Sequence, residues 1–249
     1  MPSYGSVDWF EAAYRRTSSD PWGLDWRPTQ LYRYGRMLSE LLRCTNEREC
    51  AVDCALDVGC ATGDFTSLLQ RALPPNPARR LVGLDMSPTA VERAKGRHPE
   101  LEFHAAPLWE LSRHVERPVD LLCCLEVLYY LQREERAPAL ELFASSMRSG
   151  GVLLVSSMIG QPPYLGHREL CELIESRFSI VTTSCLELWP LVALEKALLR
   201  LPWLRPPFNM RQFLPGHRGF GVVDGLARMS GAVFGSRARS HAYVVAVRQ

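Results

Sequence analysis

Several absences in this sequence exclude whole classes of protein. No uncharged apolar run reaches the ~18 residues that cross a bilayer, so no transmembrane segment is expected. Met1 to Phe10 has no basic stretch followed by an apolar core, the mark of a secretory leader. The eight cysteines form no CxxC pair and no second pair at zinc-finger spacing, which argues against a structural metal. A site built from Cys50, Cys54 and a distant histidine is the alternative. Cys123 and Cys124 lie inside an apolar run and read as small core residues. The expectation is a reduced, cytoplasmic protein with free thiols and no bound metal. Lysine is almost missing: of 29 basic residues only Lys95 and Lys196 are not arginine, a composition bias first and a set of anion sites second. A formal net charge of +2 makes no electrostatic case for a nucleic-acid partner. There is no internal repeat and no low-complexity tract.

What is present suits one α/β domain with something added. The chain has 249 residues, 47% apolar and 22% charged, enough to bury a large core. Asp8 to Tyr14 reads as a short helix and Asp20-Pro21-Trp22-Gly23 as a turn. Thr29 is placed to cap a helix through about Arg43, where Leu31, Tyr34, Met37, Leu38, Leu41 and Leu42 fall near a 3.6 period. Buried strands are then expected at 54–59, 80–85, 101–105, 119–125, 152–157, 178–186 and 241–247, with helices at 64–73, 88–97, 133–147 and 167–176 between them. Ser149-Gly150-Gly151 is read as closing the third of these helices. Strands apolar on both faces, alternating with helices, predict a doubly wound, mainly parallel seven-stranded sheet of Rossmann-like type. Ligands of such sheets bind at the carboxyl ends of the strands. The division expected is an N-terminal cap over 1–49, a core over 50–188 and 241–249, and a helical insertion over 189–240.

Two loops carry the chemistry. In Leu56-Asp57-Val58-Gly59-Cys60-Ala61-Thr62-Gly63-Asp64-Phe65, Gly59 lets the strand turn and Gly63 lets backbone approach a ligand. In Gly83-Leu84-Asp85-Met86-Ser87, Asp85 ends the second strand, where a carboxylate accepts two hydrogen bonds from ribose hydroxyls, and Met86 is placed to lie on an adenine face. A dinucleotide site wants G-x-G-x-x-G. Ala61 breaks that spacing, and Asp57 would face the phosphates. Asp57 suits a cationic ligand group instead, such as the amino group of a methionine moiety.

On these residues, with Asp120 and Glu126-Val127-Leu128-Tyr129-Tyr130-Leu131, the chain resembles class I S-adenosylmethionine-dependent methyltransferases. More narrowly it resembles their nodulation protein S branch, through Gly-Cys-Ala-x-Gly, Glu-Val-Leu-Tyr-Tyr-Leu and the amino-terminal Asp-Pro-Trp. The resemblance covers about residues 8–157. It implies that Asp57, Gly59, Ala61 and Gly63 border the methionine moiety of S-adenosylmethionine, that Asp85 holds the ribose, and that Met86 and Leu108 flank the adenine. It puts Leu125 and Glu126 near the sulfonium, and Trp22 and Arg33 in the N-terminal cap, with Arg33 toward the cofactor carboxylate. One departure stands out: His104-Ala105-Ala106-Pro107-Leu108-Trp109 has no acid after the third strand to read the adenine amino group.

The implied reaction moves a sulfonium methyl to an oxygen or nitrogen of a small molecule and leaves S-adenosylhomocysteine. Glu126, Tyr129 and Tyr130 are the catalytic candidates, and only one of the two tyrosines is expected to face a pocket. His104 reads as a satisfied structural histidine. The insertion starts with an apolar helix from Trp189 to Leu201, continues through the proline-broken aromatic stretch 202–208, and reaches a second helix from Val223 to Phe234 by way of Gly219-Phe220-Gly221. It has eight basic residues against Glu195 and Asp224. It reads as a substrate cap first, then as a dimer contact, then as a peripheral membrane contact for a lipid-like substrate. The substrate expected is a bacterial secondary metabolite or an amino sugar with a hydrophobic part. A non-catalytic protein that kept the cofactor fold is the alternative, and the oligomeric state is left open.

Overall fold

Every side chain of Cys54–Val58, a strand here named β1, is buried. Covering both faces of such a strand needs apolar layers above and below the sheet. A computed structural model describes residues 2–17, 20–115, 117–198, 212 and 215–249 and shows those layers. Seven strands run β1 (Cys54–Val58), β2 (Arg80–Asp85), β3 (Glu102–Ala105), β4 (Val119–Leu125), β5 (Met147–Met158), β6 (Phe178–Leu186) and β7 (His241–Arg248). They lie in the order β3-β2-β1-β4-β5-β7-β6. β1 to β5 pair in parallel, and β7 is antiparallel to both β5 and β6. This is the doubly wound, mainly parallel sheet that the alternation of apolar strands and helices predicts.

The side chains sort by strand parity, as a pleat requires. Ala55, Leu121, Cys123, Val152, Leu154, Tyr243 and Val245 face one layer, built with Leu31, Met37, Leu41 and Leu69. Leu56, Val58, Leu122, Cys124, Leu153, Val155 and Val244 face the other, with Leu140, Phe143, Leu170 and Ile174. The helices are α1 (Val7–Arg15), α2 (Pro28–Glu47), α3 (Asp64–Ala72), α4 (Pro88–Arg97), α5 (Arg133–Ser146), α6 (His167–Glu175), α7 (Trp189–Leu198) and α8 (Arg218–Phe234). The strand order reverses between β1, with β2 on one side, and β4 on the other, so the crevice for a ligand opens at their carboxyl ends.

The structure corrects three local expectations and adds a turn after β3. Thr29 does not cap α2: the helix starts at Pro28 with Arg27 at the cap position and no capping side chain. A carboxylate from the insertion does the work instead, since Glu195 accepts the Thr29 N–H and, at 2.7 Å, its hydroxyl. Ser149-Gly150-Gly151 lies inside the span of β5, where the register to β4 jumps from Val119↔Met147 to Leu121↔Val152. The loop after β3 is a 3-10 turn over Leu108–Arg113 that buries Leu108 and Leu111. Gly219, Phe220 and Gly221 belong to α8 and do not precede it, because Phe220 packs on the Tyr32 ring, centroids 5.0 Å apart. The end of the first insertion helix toward Leu201 and the stretch 202–208 fall outside the described residues.

The insertion leaves and re-enters the sheet at one place. Leu186 of β6 pairs with His241 of β7, and Ser240 N–H donates to Leu186 O at 2.9 Å. Between them α7 and α8 pack on α2: Arg27 meets Glu195 at 2.7 Å, and Tyr32 donates to Asp224 at 2.7 Å.

Candidate functional site

The loop after β1 turns on two left-handed glycines. Gly59 (φ +77°) would put a Cβ 2.2 Å from Val127 Cγ2, and Gly63 (φ +79°) would put one 2.7 Å from the Phe103 ring. Both conditions select glycine. Ala61 between them is also left-handed, at φ +49°. Its N–H donates to Asp85 Oδ2 at 2.9 Å, while Ser87 N–H donates to Asp85 Oδ1 at 2.9 Å. One carboxylate at the end of β2 thus fastens the glycine loop. A carboxylate has about four acceptor positions, so each oxygen keeps one for a further donor, which is what a pair of vicinal hydroxyls would use.

Carboxylates collect around this loop. Asp57 is buried and takes its hydrogen bond from the Thr66 hydroxyl at 2.6 Å. Burial pushes its carboxyl up to about 7, with Asp85 adding to the rise. Burial also raises Asp85, and it raises Asp20 although the N–H groups of Trp22 and Leu24 donate to that carboxylate. Asp64, at the start of α3, is pushed up to about 6 by burial against the pull of the Thr62 hydroxyl and Arg97. A bound cation favours the ionised form of carboxyls that burial raises. The arrangement fits a ligand with a positive centre and a ribose diol, as S-adenosylmethionine has.

At the carboxyl end of β4 the backbone bends at Glu126, which is left-handed at φ +62°. Its N–H donates to Ser156 O of β5 at 3.0 Å, and its Oε1 accepts from the Ser156 hydroxyl at 2.7 Å. Arg33 of α2, buried, reaches the same oxygen at 3.1 Å. Glu126 Oε2 and Arg33 Nε are buried with no hydrogen-bond partner. Buried polar atoms are almost always satisfied, and an unpaired one costs roughly 1–3 kcal/mol. The pair therefore offers one free acceptor and one free donor to a ligand. Glu126 precedes a 3-10 turn, Leu128–Tyr130, from this left-handed position.

Residues 56–153 match the family model described as the methyltransferase domain. The match covers about two fifths of the chain. Over 116 residues it is 32% identical to nodulation protein S of Bradyrhizobium diazoefficiens, covering 45% of this chain and 50% of that protein. Over 109 residues it is 36% identical to carboxy-S-adenosyl-L-methionine synthase of Chromohalobacter salexigens, covering 43% of this chain and 40% of that one. The chain thus spans about half the length, or less, of these curated relatives. The crystal structure of N-methyltransferase NodS from Bradyrhizobium japonicum, in complex with S-adenosyl-L-homocysteine, superposes with a TM-score of 0.62 at 19% identity, over 98% of this chain and 97% of that one. That likeness is one of fold.

The helix α1 packs over the amino end of α4. Glu11 accepts the Ser87 hydroxyl at 2.5 Å, the Thr89 N–H at 3.1 Å and the Thr89 hydroxyl at 2.7 Å, at the amino end of α4. Burial raises Glu11, but these donors outweigh it and leave its carboxyl below the usual range. Arg93 of α4 returns the contact, donating to Tyr14 O and Thr17 O. Above Glu126 the ring of Tyr130 lies 4.9 Å from Phe10, 5.3 Å from Tyr4 and 6.0 Å from Trp9. Trp22 stacks on Trp9 at 5.6 Å. Tyr129 is buried in the layer below and meets Tyr164 edge-on, so of the two tyrosines Tyr130 faces the cap. Burial raises both phenols, which makes them hydrogen-bond donors and not bases.

Leu125 is buried at the end of β4, Met86 is half-buried beside Asp85, and Leu108 lies in the core with Val82 and Leu84. His104 stands apart, bonded to Glu102 at 2.6 Å and stacked on His114. Among the described residues no three His, Cys, Asp or Glu side chains gather as a metal site, and Cys50 instead meets Arg148. Sequence reasoning missed Thr66, Ser156, Glu11 and Glu195, the residues that hold Asp57, Glu126, α4 and α2. His241 was also missed. It is buried, bonded through Nδ1 to the Ser240 hydroxyl, and kept well below its ordinary pKa by burial and by the charge of Arg33.

Proposed function

We propose that this chain transfers the sulfonium methyl of S-adenosylmethionine to an oxygen or nitrogen of a small molecule with a hydrophobic part, a secondary metabolite or an amino sugar. The observation that carries the reading is Asp85, locked by Ala61 N–H and Ser87 N–H with acceptor capacity to spare at the strand end where the glycine loop turns. Asp85 would take the ribose hydroxyls, and Met86 and Leu108 would flank the adenine. Asp57, with Gly59, Ala61 and Gly63, would border the methionine amino group, and Arg33 would meet the carboxylate. The match of residues 56–153 to the methyltransferase domain supports the transferase reading.

S-adenosylmethionine, when bound, supplies an electrophilic methyl group. The chain's own residues have to orient the acceptor and exclude water, and orientation alone is worth roughly 7–11 kcal/mol. Leu125 and Glu126 sit at the end of β4, where the acceptor would approach. Glu126 Oε2 is the unpaired acceptor that would take or steer the proton of an amine or hydroxyl. Tyr130 and the rings of Trp9, Phe10 and Trp22 would form the dry wall above it, and Tyr129 would brace that wall from below.

A second reading is a non-catalytic protein that binds the same cofactor and passes no methyl to an acceptor. Calorimetry with S-adenosylhomocysteine on the wild type and on Asp85→Ala tests the shared part. Binding that Asp85→Ala leaves intact would remove the assignment. Methylated product formed with amine and hydroxyl acceptors, and slowed by Glu126→Gln, separates transfer from the second reading.

A further inference from the structure

Among the described residues ten large apolar side chains are exposed, and seven of them lie between Trp189 and Phe234. They are not scattered. Val222, Leu226, Met229 and Val233 follow one another at spacings of three and four along α8, so they share one face. Their exposures are 61%, 38%, 59% and 66%. The helix's other face is fully used, with Val223, Ala227 and Ser230 buried and Phe220 and Asp224 on Tyr32. α8 is therefore apolar both inward and outward, which a helix serving only to cap the sheet has no need to be.

Among the described residues, the exposed charges of α7, α8 and the turn after α8 have one sign. Arg218, Arg228, Arg237, Arg239 and Lys196 are exposed. The acids of the same segment are turned inward: Glu195 is held by Arg27 and Thr29, and Asp224 by Tyr32 and Arg228. Arg228 is paired with Asp224, and the apolar stripe together with the other four cations complements a surface that is apolar below and anionic above. A second copy of the chain would bring like charges against like charges. No helix among the described residues is long and apolar enough to cross a bilayer, so the contact is one of lying on the surface.

We propose that the outer face of α8 docks this protein on an anionic lipid bilayer, with Val222, Leu226, Met229 and Val233 in the headgroup boundary and the arginines against lipid phosphates. The docking face is separate from the cofactor site, so the proposal stands or falls apart from the methyl-transfer reading.

Flotation of the full chain with mixed phosphatidylglycerol–phosphatidylcholine vesicles tests it. The wild type should float with them, and raising the salt should release it, because each basic side chain near an anionic surface changes partitioning by about fivefold at low salt. Leu226→Glu with Met229→Glu should cut flotation by more than about tenfold, while S-adenosylhomocysteine binding by calorimetry stays as in the wild type. Should that variant misfold, Arg218→Glu with Arg237→Glu, which leaves the stripe intact, should lose at least fivefold on the same vesicles. Wild-type protein that stays in solution overturns the proposal, and so does equal flotation on pure phosphatidylcholine. A dimer seen by light scattering that Leu226→Glu with Met229→Glu turns into a monomer would also overturn it, assigning the face to a second copy.

Discussion

The N-terminal helix α1 and the insertion helices α7 and α8 are fastened to the core by the same device and differ in what they do with their apolar side chains. Glu11 fixes α1 to Ser87 and Thr89, and Glu195 and Asp224 fix the insertion to Arg27, Thr29 and Tyr32. α1 turns Trp9 and Phe10 down onto Tyr130 and Trp22. α8 leaves Val222, Met229 and Val233 facing out. The first arrangement encloses a site and the second presents a surface. A segment's apolar content therefore does not by itself assign it to a pocket. Its direction does, and the carboxylate clasps set the direction.

Substitutions in the two regions should separate these roles. On the proposed assignment, Asp85→Ala would remove two charge-assisted hydrogen bonds to the ribose, about 3–4 kcal/mol together. S-adenosylhomocysteine affinity in calorimetry should fall several-hundredfold, with no change in vesicle flotation. Glu126→Gln keeps a side chain that can meet Ser156 but removes a proton acceptor. Its transfer rate should fall roughly a hundredfold while S-adenosylhomocysteine affinity moves by less than threefold; equal loss in both would make Glu126 part of the binding frame. Glu11→Ala leaves the Ser87 and Thr89 donors unsatisfied at a cost of about 1–3 kcal/mol. Melting temperature should drop and S-adenosylhomocysteine affinity should weaken about tenfold, since α1 closes over Asp85 and its neighbours.

A pH titration tests the same enclosure. Burial raises Asp57 to about 7 in the unliganded fold, above its unfolded value near 4. The stability this gives is full below about pH 4 and is lost as pH rises through about 7. On the proposed assignment the ammonium group of S-adenosylhomocysteine would bind the ionised form, so affinity should climb about tenfold from pH 5.5 to pH 7 and then level. Affinity that falls over this interval would take the amino group away from Asp57. The smallest effect is expected from Glu195→Ala, which loosens the insertion at about 1–2 kcal/mol in chemical denaturation and leaves S-adenosylhomocysteine affinity within twofold.

What the sequence made legible was local. A strand, a glycine turn and a helix start lie within ten consecutive positions at 56–65, so Asp57, Gly59 and Gly63 could be placed by adjacency alone. Asp85 followed from the next strand end. The partners that complete the site come from distant positions: Arg33 on α2 and Ser156 on β5 for Glu126, and Glu11 for Ser87 and Thr89. No periodicity marks such pairs, because each side chain taken singly reads as a solvated polar residue. The left-handed backbone at Glu126 is likewise unsignalled, since neither glycine nor asparagine stands there. The start of α8 was misplaced for an energetic reason. Gly219 and Gly221 have poor intrinsic helix propensity, and the packing of Phe220 on Tyr32 outweighs it.

The pairing of Leu186 with His241 bears on how this chain could change over generations or at the bench. The segment between them departs and returns one strand spacing apart, about 4.8 Å. Closing a loop across such a gap depends only weakly on its length. The segment is thus an exchangeable module: a short turn or a foreign helical pair can be spliced between β6 and β7 without shifting β1, β2 or β4. The one debt such a graft incurs lies on α2, where Tyr32 and Thr29 would need partners in place of Asp224, Phe220 and Glu195.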